Sequence, residues 1–238
     1  MPLDPADSTR YRALAARANY LAADRVDIQF AVKEVCRSMS KPSRQCWAKM
    51  KRLAKYLSGK PRMVQDFVWQ QGGKPLCTYS DSDWAGCRTS RKSTSGGAIF
   101  IGKHCIRSWS KTQATLALSS AEAELVALVK ATCESIGLAS LLKDIGRTTR
   151  IQVYADANAA LGIVARKGVG KLRHLDTSIL WVQQKELQKA VEFLKVHGVV
   201  NPADLMTKHL PIAVMKDHME RLQFRPEDGR AKSAVNLR

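Results

Sequence analysis

Acidic residues are scarce in this chain of 238 residues. Asp and Glu together number 21, whereas Lys and Arg number 39, so the formal net charge at pH 7 is +18. The basic excess is spread along the chain and is not confined to a tail. A charge balance of this kind predicts a polyanionic partner, and we expect that partner to be nucleic acid.

Long hydrophobic runs are missing as well. No stretch of 18 apolar residues occurs, whereas a membrane-spanning helix requires about 20. The N-terminal residues, MPLDPADSTRYR, contain no apolar segment that could serve as a secretory signal. We therefore expect no membrane partner and an intracellular protein that is not secreted.

The chain also lacks the paired cysteines of a zinc site or a disulfide framework. Its six cysteines include no CxxC pair, and their spacing fits neither class of site. Free thiols in a reducing compartment are the expectation. Internal repeats and low-complexity segments are absent too, so the sequence is typical of an ordinary folded protein.

The first part of the chain is predicted to be helical. Apolar residues recur at intervals of three and four, and Ser8 is placed to cap the first helix. Gly59, Lys60 and Pro61 then end the helical pattern. We place a module boundary there and predict a small helical module over residues 1–62. Its predicted helices cover residues 8–22, 27–39 and 43–57.

The remainder alternates between strand-like and helical patterns. A mixed five-stranded sheet with flanking helices is the predicted architecture, an α/β domain over residues 63–224 followed by a loose polar tail over 225–238. Strand-like runs cover residues 64–70, 76–80, 98–101, 104–109, 151–155 and 191–196. Predicted helices cover residues 120–142, 157–165 and 175–188, and a last helix is expected to begin at Asn201 and Pro202.

Four acidic residues lie where such a domain places functional groups. Asp81 ends a strand-like run, Asp156 ends another, Glu124 lies on an apolar helix, and Asp204 lies in the first turn of the last helix. Three of them have a structural alternative: the sequence DSD around Asp81 is common in turns, Asp156 suits a helix N-cap, and Asp204 complements a helix dipole. Glu124 has none, but a charged carboxylate buried on this helix would be costly unless a cation paired with it. Ser119 and Glu122, by contrast, have the spacing of a capping box.

Taken together, the four carboxylates favour a metal site. Crowded carboxylates repel one another unless cations neutralise them, and two divalent ions would do so. Paired metal ions of this kind activate water in phosphodiester cleavage. Oxygen ligands favour Mg²⁺, with Mn²⁺ as a possible substitute, and the absence of a Cys or His cluster disfavours zinc.

The motifs around these residues resemble the ribonuclease H domain of copia-type retrotransposon Pol polyproteins. They occur in the family's order: YSDSDWAG, RKSTSGG, SWSKTQATLALSSAEAELVAL, VYADANAAL and NPADLMTKHL. The segment before them is similar to the connection that follows the reverse transcriptase in those polyproteins. About nine tenths of the chain is covered, and five ordered motifs are far more specific than any one of them.

The resemblance implies a ribonuclease H-like fold and an endonuclease that hydrolyses the RNA strand of RNA–DNA hybrids with two Mg²⁺ ions. The family's acidic set matches Asp81, Glu124, Asp156 and Asp204 as catalytic metal ligands, and Asp81 is preferred to Asp83 because it ends the strand. The resemblance also suggests the polymerase part of a reverse transcriptase as a partner. It implies a cytoplasmic location, in a virus-like particle among other sites, or a nuclear one.

Further residues are candidates for catalysis or substrate binding. His197 lies in the loop where many ribonucleases H place a histidine that assists the leaving group, and a plain surface residue is the alternative. Cations and polar side chains near the carboxylates are candidates for contacts to nucleic acid. They are Arg88, Arg91, Lys92, Ser93, Asn158, Lys171, Arg173 and His174, and a basic helix adds Lys49, Lys51, Arg52 and Lys55.

Two other functions stay open. The chain could be a catalytically silent, domesticated fragment that binds nucleic acid, or another nuclease of the same fold that cuts DNA. It contains no YxDD-like polymerase motif and no HHCC zinc module, so we expect neither polymerase nor integrase activity from it. The sequence leaves the oligomeric state open.

Overall fold

Three helices precede the sheet in the computed structural model, which describes residues 1–168 and 180–229. The first helix begins earlier than predicted, because Asp4 and not Ser8 is its N-cap: the Asp4 carboxylate accepts a hydrogen bond from the Asp7 N–H at 2.8 Å. The second prediction is split into a short 3₁₀ turn, Val26–Ile28, and an α-helix. The α-helices are α1 (Pro5–Leu21), α2 (Gln29–Cys36) and α3 (Arg44–Gly59).

The main sheet has five strands in the spatial order β4-β3-β2-β5-β6. The β2–β3 and β3–β4 pairs are antiparallel, whereas β2–β5 and β5–β6 are parallel. This mixed sheet with flanking helices confirms the predicted ribonuclease H-like fold class. Its strands are β2 (Leu76–Asp83), β3 (Thr94–Ile101), β4 (His104–Thr112), β5 (Ile151–Ala155) and β6 (Glu192–Lys195).

One predicted strand does not belong to that sheet. The run predicted over residues 64–70 forms a shorter strand, β1 (Arg62–Gln65), which pairs antiparallel with β7 (Phe224–Glu227). The two make a separate two-stranded sheet. The pairing also corrects the predicted start of a loose tail at residue 225, because backbone hydrogen bonds hold the chain as far as Glu227.

The other helices flank the main sheet, and α4 is central to its core. Leu125 and Leu128 of α4 are fully buried against Ile99 of β3 and Val153 of β5. Ser119 caps α4 as predicted, since its hydroxyl accepts a hydrogen bond from the Glu122 N–H at 3.2 Å. These helices are α4 (Ser120–Asp144), α5 (Asn158–Ala165), α6 (Trp181–Leu187) and α7 (Ile212–Arg221).

By length and composition alone, α4 could cross a membrane, with a mean hydropathy of 1.6 over its most apolar window. Its first turns, however, are buried in the core between the sheet and α5. Burial in the core explains the apolar residues of these first turns, whereas only 33% of the most apolar window of α4 is buried.

The three N-terminal helices bury a hydrophobic cluster of their own, which includes Tyr11 and Val32. Side chains of α2 nevertheless bond directly to the main sheet: Gln29 donates to the Ser108 hydroxyl at 2.9 Å. The division into a module of residues 1–62 and a domain of residues 63–224 stays a prediction.

Candidate metal centre

The register of two parallel strands brings the first two carboxylates together. The pairing of β2 with β5 ends with Ser80 opposite Ala155. Asp81 and Asp156 are the next residues along each strand, so both lie at the same edge of the sheet. Asp81 is only 2% exposed because β2 continues beside β3. Ligand sites of α/β sheets commonly lie at this edge, beyond the carboxyl ends of the strands.

Glu124 approaches the same edge from the second turn of α4 and is 8% exposed. The Ser82 N–H donates a hydrogen bond to its Oε1 at 3.2 Å, whereas its buried Oε2 has no hydrogen-bond partner among the described residues. One carboxylate oxygen each from Asp81, Glu124 and Asp156 lies within 4.8 Å of the other two. We call these three residues the carboxylate triad.

Asp204 lies on a 3₁₀ segment, Pro202–Met206, and not on an α-helix as predicted. The predicted N-cap is correct, because the Asn201 side-chain oxygen accepts a hydrogen bond from a backbone N–H of that segment. The Asn201 amide also donates to the Ser80 carbonyl oxygen at 3.0 Å. This bond ties the segment to β2 one residue before Asp81.

Gly96 lets the 3₁₀ segment pack directly on the sheet. Gly96 pairs with Asp81 across the β2–β3 ladder. A β-carbon at Gly96 would lie 2.6 Å from Cγ2 of Thr207 and 2.9 Å from Cβ of Met206, which is closer than real atoms approach. This close packing brings the Thr207 hydroxyl to Asp81, where it donates a hydrogen bond to Oδ2.

Lys208 connects Asp204 to the carboxylate triad. Its ammonium nitrogen lies 3.0 Å from Oδ1 of Asp204 and 3.6 Å from Oδ2 of Asp81. This residue was not among those predicted from the sequence. The available signal was its position four residues after Asp204, a spacing at which opposite charges meet on a helical turn.

Burial and mutual repulsion disfavour the charged forms of these carboxylates. Burial, together with the charges of Asp81 and Asp156, raises the pKa of Glu124 to about 9. Burial and the charge of Asp81 raise the pKa of Asp204 to about 7, although Lys208 opposes the shift. Burial and Asp81 also raise the pKa of Asp156. The cluster is therefore costly to ionise without additional positive charge.

The residues present fit a divalent metal ion. The donor set of the carboxylate triad consists of oxygen atoms alone, which Mg²⁺ and Mn²⁺ prefer. Oε2 of Glu124, a triad residue, is buried and has no hydrogen-bond partner among the described residues, which is rare for a carboxylate oxygen in folded proteins. A bound cation would satisfy that oxygen and relieve the repulsion that raises the three pKa values.

Asp83 does not belong to the triad. The expectation that Asp81 ends the strand is corrected, because β2 continues beside β3 and its last residue is Asp83, paired with Thr94. The Asp83 carboxylate is half-buried against the following turn. A β-carbon at Gly86 would lie 1.7 Å from Oδ2 of Asp83. Burial raises the pKa of Asp83. Asp83 therefore packs against the loop beside the site, and we predict that it tolerates substitution better than Asp81 does.

His197 is exposed and begins a 3₁₀ turn beside the triad. The next residue, Gly198, passes close to the site: a β-carbon there would lie 3.0 Å from Oδ2 of Asp156. The backbone of this loop is therefore adjacent to the triad, while the assignment of a catalytic role to the His197 side chain stays a prediction.

The basic loop between β2 and β3 contains four of the predicted nucleic-acid contacts. Arg88 and Arg91 are exposed, and the Lys92 ammonium donates to a backbone carbonyl at 2.6 Å. Ser93, in contrast, is fully buried, and its hydroxyl accepts a hydrogen bond from the Ala85 N–H at 3.0 Å. The prediction that Ser93 contacts nucleic acid is therefore wrong, because its hydroxyl has a structural partner and cannot reach a ligand.

Asn158 is exposed at the first position of α5, two residues after Asp156. Its side chain is thus available next to the carboxylate triad, as a contact to a substrate requires. The remaining predicted contacts, Lys171, Arg173 and His174, fall within residues 169–179 and lie outside the described part of the chain.

The helix α2 holds the basic loop from the side of the N-terminal helices. The Arg37 guanidinium donates to Sγ of Cys87 at 2.7 Å and to the Ser90 hydroxyl at 3.1 Å. Burial works against ionisation of Cys87, but hydrogen bonds from Ser90 and Arg37 prevail and lower the pKa of its thiol to about 6. Arg37 therefore fixes the loop that presents Arg88 and Arg91.

Comparison with known proteins identifies sequence relatives. The chain is 31% identical over 207 residues to the retrovirus-related Pol polyprotein from transposon RE1 of Arabidopsis thaliana. It is 30% identical over 190 residues to the corresponding polyprotein from transposon TNT 1-94 of Nicotiana tabacum. The matches cover 86% and 79% of this chain but only 14% of each relative. The chain thus spans about a seventh of their length.

No protein-family model matches the chain. Among solved structures, LC11-RNase H1, isolated from compost by a metagenomic approach, aligns with 56% of this chain and 93% of its own, at 18% identity and a TM-score of 0.43. The sheet topology and the sequence relatives agree with the motif order. The chain belongs to the retrovirus-related Pol polyproteins of transposons and corresponds to their ribonuclease H region.

Proposed function

We propose that this chain hydrolyses the RNA strand of RNA–DNA hybrids with two divalent metal ions. Mg²⁺ is the expected ion, and Mn²⁺ can replace it. The observation that supports this most strongly is the carboxylate triad, whose oxygens lie within 4.8 Å of one another. The membership of the chain in a retrotransposon Pol family supports the same conclusion, since copying RNA into DNA produces an RNA–DNA hybrid as an intermediate.

Asp81, Glu124, Asp156 and Asp204 would hold the metals. Bound metal ions supply an activated water and stabilise the leaving oxygen. The neighbouring residues keep the ligands in place: the Thr207 hydroxyl bonds to one oxygen of Asp81, and the Ser82 N–H bonds to one oxygen of Glu124. In both residues the second carboxylate oxygen is left for another partner.

Cationic residues would hold the substrate by its phosphates. Arg88, Arg91 and Lys92 lie on the loop beside the triad, and the sequence adds Lys171, Arg173 and His174. Phosphate contacts of this kind give affinity without sequence preference. His197, in the loop next to Asp156, would assist departure of the leaving group.

Recognition of RNA requires a contact to 2′-hydroxyl groups. The hydroxyls of Ser93, Thr94 and Ser95 are buried, with 0%, 3% and 2% of each residue exposed. They are therefore unsuited to the contact, whereas the side chain of Asn158 is exposed next to the carboxylate triad. We propose that Asn158 contacts the RNA strand close to the scissile phosphate.

The polymerase part of a reverse transcriptase is the proposed protein partner. The relatives are about seven times longer than the match, so the ribonuclease H region of these polyproteins works alongside other parts. The N-terminal helices bury a common hydrophobic cluster. They precede the ribonuclease H motifs in the sequence, where the connection to the reverse transcriptase is expected.

Incubation of the purified chain with labelled RNA–DNA hybrid, duplex DNA and single-stranded RNA tests the proposal, with Mg²⁺ or with EDTA. We expect Mg²⁺-dependent cuts in the RNA of the hybrid alone. Binding of the hybrid without cleavage would indicate a catalytically silent fragment, and cleavage of duplex DNA would indicate a different nuclease of this fold.

Asp156→Asn tests the assignment of the metal ligands. The change removes a carboxylate charge and keeps the size of the side chain, so we expect hybrid cleavage to fall at least a hundredfold while hybrid binding changes little. Asp228→Asn, near the end of the described chain, is the control with the same chemical change outside the site. Full cleavage by Asp156→Asn would refute the assignment.

A further inference from the structure

We propose that Lys208 acts as the resident cation of the carboxylate cluster when metal is absent, and that it competes with one of the metal ions for its ligands. The inference rests on the proposed function, since it concerns the metals of the same site. It adds a residue that controls how tightly and in which order those metals bind.

The position of the Lys208 ammonium carries the argument. It lies 3.0 Å from Oδ1 of Asp204 and 3.6 Å from Oδ2 of Asp81, so it bridges the first and the fourth carboxylate. Glu124 and Asp156 complete the triad with Asp81, and neither is paired with Lys208 at salt-bridge distance. The four carboxylates thus divide into a triad open to a metal ion and an Asp81–Asp204 pair already occupied by an ammonium group.

The chemistry of the two occupants makes them exclusive. An ammonium group and a divalent ion both need the carboxylate oxygens, and two cations in contact with the same oxygens repel each other. Lysine can give way, because its side chain is 41% exposed and ends a flexible stem of four carbons. Lys208 can therefore rotate into solvent when a metal ion takes the Asp81–Asp204 pair.

Two consequences follow for metal binding. The first ion should bind at the triad, and the second should bind more weakly, because it must displace Lys208 from Asp81 and Asp204. Removal of the lysine charge should therefore raise the affinity for the second metal ion. It should also lower the stability of the metal-free fold, because the carboxylates then lack their only described cationic partner at salt-bridge distance.

Calorimetric titration of Mn²⁺ and of Mg²⁺ into the metal-free chain at pH 8 tests the inference. For Lys208→Met we expect the weaker site to bind roughly tenfold more tightly, as expected for removal of one partly exposed charge in contact with the ligands. Lys208→Arg keeps the charge and should bind like the unchanged protein. Lys216→Met, on the exposed side of α7, is the control for loss of a lysine elsewhere.

Thermal unfolding in EDTA provides the second measurement. We expect a lower Tm for metal-free Lys208→Met and a larger rise in Tm on addition of Mn²⁺ than the unchanged protein shows. Equal or weaker metal affinity in Lys208→Met, with metal binding intact in the unchanged protein, would overturn the inference and leave the proposed function standing. Absence of metal binding in the unchanged protein would overturn both.

Discussion

Glu124 shows at the scale of a single residue what the proposed function costs in stability. It lies in the core helix with one unpartnered oxygen, and burial and nearby charges raise its pKa to about 9. The folded chain therefore keeps a proton that the unfolded chain releases. Its contribution to stability is fully present below pH 4.5 and is lost as the pH rises through about 9.

We therefore expect Glu124→Gln to stabilise the metal-free chain at neutral and basic pH. Glutamine keeps the shape and needs no proton, so the gain should be close to zero at pH 4 and on the order of 5 kcal/mol at pH 8. Urea unfolding in EDTA across this range measures it. The same variant should lose hybrid cleavage. A stability difference that does not change with pH would contradict the prediction.

At the scale of single residues, the sequence pointed to the proposed metal ligands but not to the residues that surround them. Asp81 and Asp156 could be predicted because each follows a strand-like run in the sequence; β5 does end at Ala155, whereas β2 continues past Asp81 to Asp83. Ser93 was predicted wrongly, and Lys208 was missed, since burial and salt bridges depend on which segments meet in space. Nothing within the basic loop itself indicates that the Ser93 hydroxyl turns inward to the Ala85 N–H.

At the scale of elements, the short 3₁₀ segment and its attachment to the sheet decide where Asp204 lies. The Asn201 amide bonds to the Ser80 carbonyl, and Gly96 leaves the space in which Met206 and Thr207 pack. The N-cap was visible in the sequence as Asn-Pro, but the segment's type was not. A segment of five residues is too short for a helical period to distinguish 3₁₀ from α geometry.

Gly96→Ala tests this attachment. The added β-carbon would collide with Met206 and Thr207, so the segment must shift away from β2, at a cost of about 1–3 kcal/mol. We expect a lower Tm and a clear loss of hybrid cleavage, because Asp204 moves relative to the carboxylate triad.

Gly137→Ala is the matched control for that substitution. Gly137 is exposed in the middle of α4, and a β-carbon there meets nothing within 4 Å. Alanine favours helix more than glycine does, so this variant should gain about 0.5–1 kcal/mol with unchanged cleavage. Full cleavage by Gly96→Ala would show that the close packing is not needed for the site.

At the scale of the whole molecule, the sequence predicted the sheet and its helices, while the pairing of distant segments escaped it. The strand formed by Arg62–Gln65 pairs with Phe224–Glu227, about 160 residues later. No local pattern specifies such a partner, because β-propensity reflects packing neighbours more than intrinsic preference. The run at 64–70 therefore looked like a strand of the main sheet.

The net charge of +18 also belongs to this scale, and α3 holds a concentrated part of it. Residues 38–59 contain no Asp or Glu. Lys49, Lys51, Arg52 and Lys55 are all exposed on α3, and none forms a described salt bridge. Cations without acidic neighbours are free to contact phosphates, so we expect α3 to bind the nucleic acid beyond the carboxylate cluster.

Replacement of those four cations by Gln tests this expectation. Each phosphate that a cation neutralises steepens the dependence of affinity on salt. The variant should therefore bind hybrid more weakly and with a shallower slope of log K against log salt, by about 1 for each phosphate that is no longer neutralised.

The control for this variant replaces Lys74, Lys143, Arg147 and Arg150 by Gln. All four are exposed, and Lys74 and Arg150 precede the starts of β2 and β5, away from the carboxylates. Because both variants lose four positive charges, an equal change in slope would show that net charge and not α3 governs binding. A selective change for the α3 variant would extend the substrate path from the metal centre onto the N-terminal helices.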